Sequence, residues 1–369
     1  MLESPDVSGS SAGHEIGPGA AGDEEIVDAA KAKRNLRNGL ISLVILIALV
    51  AGLLTAVPGL HGVAHVVARM NPDWVLAAIG LELLSCLGYV LAFLQVFDRV
   101  PLRFGARVAL SELAFGSAVS VGGAGSVAVG AWLLVDRGRN PKRVAERSAV
   151  LFLLTSAINV ITLAVVGFAA FFGLLPGKRN WLLSLLPGLI GAATFVLFLG
   201  LPRAAERLAG KRSHRRLRAF LSEIAVSIRL TERILFSRDW RLIGAIGYLW
   251  FDIGVLVACF AAIGPVPPLT SIVLAYQIGY LTNVVPIPGG IGVLDAGLVG
   301  MLVLYGVPAS QGTAATVVYH GIALWVPAMW GTVAFLVLQR RRGQPLTLRP
   351  SRAERARLRR ERRAERAKP

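Results

Sequence analysis

The stretch GLISLVILIALVAGLLTAVPGL, residues 39–60, carries no charged side chain. It is longer than the roughly 20 apolar residues that cross the hydrocarbon core of a bilayer. A chain that holds such runs repeatedly has few folds open to it. In hydrocarbon each backbone N–H and C=O must be bonded within its own segment, so runs of this kind cross as helices. The charges are kept apart from them. Residues 203–241 hold eleven Lys/Arg against four acids, and residues 340–369 hold thirteen against three. With 54% hydrophobic residues and a formal net charge of +17, that segregation excludes an ordinary soluble domain, whose charges spread over its surface. The expected fold class is an all-α polytopic membrane protein.

Six stretches read as full spans: 39–59, 74–97, 148–175, 181–201, 241–263 and 313–338. Two more, 108–136 and 269–305, are apolar but interrupted by glycine. Four basic residues in KAKRNLRN (31–38) place the N-terminus in the cytoplasm, because Lys/Arg-rich short loops stay inside. Arg99, Arg103 and Arg107 precede the first interrupted stretch, and Arg137, Arg139, Lys142, Arg143 and Arg147 follow it. It must therefore enter and leave on the cytoplasmic side, or cross twice. The second is flanked by GPVPP (264–268) and GVPAS (306–310), which have no basic residue and belong outside. Lys178 and Arg179 are the one violation of this scheme. Both termini are then cytoplasmic, in a multi-pass protein of the cell membrane. No cleavable leader is expected, since the first apolar run follows a polar segment and is longer than a signal core.

The interruptions are related. SVGGAGSVAVGAWLL (120–134) aligns with IPGGIGVLDAGLVGM (287–301) at a constant offset of 167, which places Gly122, Gly123 and Gly125 on Gly289, Gly290 and Gly292. Pro141 falls on Pro308 at the same offset. The order span, span, broken hairpin, span thus occurs twice with opposite orientation. Such inverted repeats mark many secondary transporters, whose sites lie at paired Gly/Pro interruptions. The domain reading follows: 1–38 a disordered acidic-to-basic N-terminus; 39–175 repeat A with a re-entrant hairpin at 108–136; 176–339 repeat B with a basic loop at 203–240 and a re-entrant hairpin at 269–305; 340–369 a basic tail. Pro286 and Pro288 add to the second break. Non-helical backbone at membrane depth is tolerated only where it lines a cavity or is walled by protein. The half-helix after each turn aims its positive end at that cavity, which suits a phosphate or other anionic head group. The bland reading of the same glycines is close helix packing.

Ionisable residues within apolar segments are expensive and are candidates for function. They are Glu82, Glu112, Asp252, Asp295 and His320. Glu82 and Asp252 lie at similar depths in matching spans, at an offset of 170. They either link helices as hydrogen-bonded acids or belong to a substrate site. Asp295 stands in the first turn after the second break, where a carboxylate also suits the helix dipole as a cap. Asn159, Gln277 and Asn283 read as interhelical hydrogen-bonders. Cys86 and Cys259 read as buried, reduced thiols. No metal site is expected: His61 and His65 have helical spacing but no companion carboxylate. No catalytic constellation and no cofactor motif is visible, because Gly123-x-Gly125-x-x-Ala128 lacks the βαβ unit a dinucleotide needs. In the 203–241 loop, Leu217, Phe220, Leu221, Ile224, Ile228 and Leu235 fall near helical spacing, as in a basic amphipathic helix that lies on anionic lipid. The partners expected are membrane lipids with anionic head groups on the cytoplasmic face, and not nucleic acid, for which no aromatic-interleaved basic surface is present.

In PIPGGIGVLDAGLV…LYGVPASQGTAATVVYHGIALWVPAMWGTVAF (286–335) the chain resembles the lysylphosphatidylglycerol synthase transmembrane-region family, also called the flippase-like domain family or UPF0104 group. The resemblance covers residues 39–340. Pro286, Pro288, Gly289, Gly290 and Gly292 match the family's P-x-P-G-G-x-G-x-x-E pattern, Asp295 stands where Glu is usual, and Gly306-Val307-Pro308 supplies the next element. His320 takes the place of an expected Arg, and the first hairpin has Ser120 and Val121 where relatives often carry Pro and a charged residue. The resemblance implies an Asp295–His320 pair in place of a carboxylate–guanidinium one, and with it a site sensitive to pH. It also implies a module that moves phospholipids, notably aminoacylated ones, between leaflets. The basic tail is too short for the aminoacyl-transferase domain of longer relatives, so an enzyme is not expected. The competing reading is an accessory membrane subunit that presents lipid to a separate lipid-modifying enzyme or glycosyltransferase.

Overall fold

A computed structural model of the protein describes residues 66, 69–118, 124–177, 179–208, 215–237, 239–279 and 293–340. All regular structure among them is helical. In chain order the helices are α1 (Pro72–Val96), α2 (Leu102–Ala118), α3 (Ala124–Val135), α4 (Pro141–Phe171), α5 (Leu186–Leu208), α6 (Arg215–Leu235), α7 (Leu242–Ile263), α8 (Leu269–Gly279), α9 (Val293–Leu304) and α10 (Ala309–Arg340). Five stretches among the described residues are long and apolar enough to cross a membrane: α1, α4, Trp181–Ala204 in α5 and the turn before it, α7 and α10. The expected first span, 39–59, lies outside the described residues.

Helix starts follow local chemistry. Asn71 and Asn140 each stand before a proline and cap the helix that follows: Asn71 Oδ1 accepts from Asp73 N at 2.9 Å, and Asn140 Oδ1 from Lys142 N at 3.0 Å. Proline at the first helical position has no N–H to leave orphaned, and its φ is already helical. The span expected at 148–175 is accordingly corrected to α4, which starts at Pro141 and takes Lys142, Arg143 and Arg147 into its first turns. The span expected at 313–338 likewise extends to Ala309–Arg340. The interrupted stretch expected from 108 begins its helix at Leu102, with Arg103 and Arg107 on exposed and half-buried positions of α2. Asn180 caps a wide first turn, Trp181–Leu185, that leads into α5.

The two interrupted stretches each form a pair of short helices, α2 with α3 and α8 with α9, packed together. Three of the four have 11 or 12 residues and the longest has 17, all below the length of a full span. Printed contacts place the outer ends of each pair. Arg147 Nη1 donates to Val96 O at 2.8 Å, Arg241 Nη1 to Leu94 O at 3.1 Å and Arg137 Nη2 to Leu338 O at 3.0 Å. The Arg137 guanidinium also lies 5.3 Å from the centre of the Phe104 ring. One end of the bundle therefore gathers the end of α1, the start of α2, the end of α3, the starts of α4 and α7, and the end of α10. At the other end Asn71 N donates to Ala262 O at 2.9 Å, Gln311 Nε2 to Pro265 O at 3.0 Å, Thr270 Oγ1 to Pro176 O, and Tyr305 Oη to Leu183 O. That end gathers the start of α8 and the end of α9. Both short pairs are closed by a left-handed glycine, Gly138 (φ 77°) and Gly306 (φ 93°), a backbone that costs glycine nothing.

The packing is centred on α1 and α7, which run antiparallel and make the most extensive contact in the bundle. Around them α2 lies on α10 and α8 lies on α4. Phe93, Val96, Leu256, Phe260, Ile272 and Leu302 are almost wholly buried in this core. Trp181, Val196, Leu197, Ile243 and Met329 are more than 60% exposed, as expected of side chains that meet lipid rather than water. The amphipathic helix expected in the basic loop is present as α6. Its buried residues Ala225, Ile228 and Thr231 show where its apolar face goes, against α4 and α5.

Candidate functional site

The α1–α7 crossing is built on glycine. A Cβ on Gly88 would lie 2.6 Å from Tyr248 N and 2.8 Å from Gly244 O, and one on Gly244 would lie 2.5 Å from Leu91 Cβ. Without side chains at these points the backbones touch, and Ser85 Oγ donates across the gap to Tyr248 O at 2.9 Å. Further along the same face of α1, Glu82 meets Asp252 of α7. Glu82, Ser85 and Tyr89 are three, then four residues apart, the spacing that stacks side chains on one helix face.

The two carboxyl groups are close enough to act directly on each other. Asp252 is held by two phenols from two other helices. Tyr319 Oη of α10 donates to Oδ1 at 3.2 Å and to Oδ2 at 3.1 Å, and Tyr276 Oη of α8 donates to Oδ2. The two rings stand edge to face, 6.2 Å apart. Glu82 is 5% exposed. Its Oε1 accepts a weak bond from Cys86 Sγ at 3.9 Å, while no donor among the described residues reaches Oε2. Four helices thus converge on one pair of acids in an apolar bundle.

A second buried acid stands two turns further along α1. Glu112 of α2 is 1% exposed and accepts from Tyr89 Oη at 2.9 Å. Gly130 of α3 backs directly on this carboxyl group, where any Cβ would collide with it. The Tyr89 ring tilts against Tyr248 at 5.2 Å. At the basic end of the bundle, Arg137, Arg147 and Arg241 meet the carbonyls at the ends of α10 and α1, where cations complement the helix dipole. Burial first, and then the neighbouring Arg143 and Arg99, hold the Arg139 guanidinium below its usual value.

Of the residues singled out in the sequence, the structure brings Glu82 and Asp252 together. His320 follows Tyr319 on α10 and is half-buried. Asp295 lies in the first turn of α9, but its side chain is outside the described residues, and so is its pairing with His320. Gly125 is in the first turn of α3. Gly122, Gly123, Pro286, Pro288, Gly289, Gly290 and Gly292 lie outside the described residues, as does Asn283. Asn159 is corrected: among the described residues its Nδ2 donates to Thr155 O on its own helix, at 3.0 Å. No partner reaches Gln277 Nε2 among the described residues. Cys86 and Cys259 are free and buried, as expected. The sequence reading missed Tyr89, Tyr276 and Tyr319. Their signal was available, because a phenol in an apolar helix needs an acceptor and the nearby acids are the obvious ones.

The sequence model of the family described as the lysylphosphatidylglycerol synthase TM region matches residues 39–331. Two similar proteins, each named a UPF0104 membrane protein, come from Methanothermobacter thermautotrophicus. One is 30% identical over 109 residues, which is 29% of this chain and 30% of its own length. The other is 25% identical over 328 residues, which is 80% of this chain and 94% of its own length. The chain therefore covers under a third of the first relative and nearly all of the second.

Proposed function

Starting from the premise that the chain belongs to the lysylphosphatidylglycerol synthase TM region family, we propose that it is a flippase-like lipid transporter. It moves a phospholipid or lipid-linked head group, anionic or aminoacylated, between the leaflets of the cell membrane. The observation that carries this reading is the pair of short-helix units, α2–α3 and α8–α9, with their outer ends at opposite ends of the bundle. In this reading each is a re-entrant hairpin, and the two are related by an inverted repeat that also exchanges α1 with α7 and α4 with α10. The swapped contacts, α2 on α10 and α8 on α4, support that symmetry. So do the left-handed glycine and the proline that end each unit, Gly138 with Pro141 and Gly306 with Pro308.

A hairpin that stops inside the bilayer leaves backbone amides and a helix N-terminus facing a cavity, which is an anion site by construction. The head group would be held by the turns at Gly122, Gly123, Gly125, Gly289, Gly290 and Gly292, with Asp295 and His320 beside it. Alternating exposure of the cavity to the two faces would then carry the lipid across. The basic end of the bundle faces the cytoplasm in this reading and gathers anionic head groups there.

The test is translocation of fluorescent phospholipids in proteoliposomes, read by dithionite accessibility, for wild type and Asp295→Ala. Activity in wild type that collapses in the variant supports a transporter with its site at the second hairpin. No activity with a panel of anionic and aminoacylated lipids would overturn it in favour of an accessory subunit for a separate lipid-modifying enzyme.

A further inference from the structure

The Glu82–Asp252 contact needs a chemical account of its own. Two ionised carboxylates in an apolar bundle would repel strongly, and neither has a cationic partner among the described residues. Acids that act this directly on each other stay together in an apolar bundle only if their joint charge is lowered. A proton fits. Asp252 already accepts from Tyr276 and Tyr319, which marks it as the anion. Glu82 has a bare Oε2, which marks it as the group that holds the proton and donates it to Asp252.

We propose that the Glu82–Asp252 pair is the proton-binding site of this protein and couples lipid translocation to proton movement. The inference rests on the transporter reading above and supplies its energy source. The pair spans α1 and α7, the two helices that the repeat exchanges, and its other two contacts come from α8 and α10. In this proposal, exposing the cavity to the opposite face moves α8, which packs on α7, away from it. That motion strips Tyr276 from Asp252 and opens the pair, and the proton passes from Glu82 to water on that face. Rebinding from the other face restores the pair. Among the described residues, the groups that contact the pair are Cys86 on α1, Tyr276 on α8 and Tyr319 on α10. Of the helices that also pack on α1 and α7, α2 directs its Glu112 to Tyr89, and α4 directs Arg147 to the far end of α1.

Two measurements separate this inference from the reading beneath it. The first is infrared difference spectroscopy of the purified protein over a pH titration, in a Glu112→Gln background so that the second buried acid is silent. A protonated-carboxyl band that disappears in Glu82→Gln and shifts in frequency in Asp252→Asn is the expected result. A band unaffected by both variants, or no such band, overturns the proposal whatever the protein transports. The second is the lipid assay with an imposed pH gradient and a trapped pH dye. Wild type should change its translocation rate several-fold with the sign of the gradient and carry protons only when lipid moves. Glu82→Gln should lose the response to the gradient, and a Glu82→Gln variant that still responds to the sign of the gradient overturns coupling. Translocation in wild type that is indifferent to the gradient overturns coupling while leaving the transporter reading intact. Absence of translocation with an intact infrared signature overturns the transporter reading and coupling together.

Discussion

Asp252 illustrates how little of a membrane site is visible one residue at a time. In the sequence it is an acid in an apolar span, at a depth similar to that of Glu82. Its two phenolic donors lie 24 and 67 residues away on other helices, and nothing local announces them. Interhelical hydrogen bonds within membranes contribute about 0.6–2 kcal/mol each. Tyr319→Phe should therefore lower the stability of the purified protein by about 1–2 kcal/mol, seen as a lower thermal midpoint in detergent. Tyr276→Phe should do the same, and the double variant should lose more than either. Unchanged midpoints would mean that the phenols do not hold the carboxylate. Glu112 was equally legible as an intramembrane acid, but its pairing with Tyr89 and the space left by Gly130 depend on three helices meeting.

At the scale of the element, glycine has two different uses in this chain. The sequence reading weighed hairpin turns against close packing for the paired glycines at 122–125 and 289–292. Close packing is the evident role of others. Gly88 and Gly244 set the α1–α7 crossing, and Gly167 does the same for α4, where a Cβ would lie 2.7 Å from Gly188 N of α5. Gly88→Ala should destabilise the protein by about 1–3 kcal/mol, as overpacking a close contact does. Gly80→Ala on the same helix has nothing within 4 Å of the new methyl group and should be neutral or slightly stabilising. Thermal midpoints of the two variants decide the matter: equal effects would show that the crossing is not the cause. Helix boundaries followed a similar division. The start of α4 at Pro141 was written in Asn140-Pro141, a cap followed by a residue suited to the first turn, whereas an apolarity count placed it at 148.

Across the whole molecule, the two ends of the bundle differ in charge. Arg137, Arg147 and Arg241 gather at one, and the loops 264–268 and 306–310 at the other have no basic residue. The orientation proposed above puts the first end in the cytoplasm. The variants Lys142→Cys and Val266→Cys, with the buried native Cys86 and Cys259 as a silent background, should react with an impermeant maleimide from opposite faces of intact cells and inverted vesicles. Residue 142 should label only from the cytoplasmic face and residue 266 only from outside. Labelling of both from one face would refute the topology and with it the inverted repeat.

The sequence by itself determined that the chain is a multi-pass helical membrane protein, where most of its spans run, and which family it belongs to. These properties belong to contiguous residues: a run must be apolar over its whole length to cross hydrocarbon, and loop charge is counted segment by segment. Only the tertiary structure decided that Glu82 meets Asp252, that two tyrosines from separate helices hold the second acid, and that the apolar face of α6 turns onto α4 and α5. Those contacts join residues far apart in the chain, and they exist because α1 and α7 cross where neither has a side chain to keep the other away.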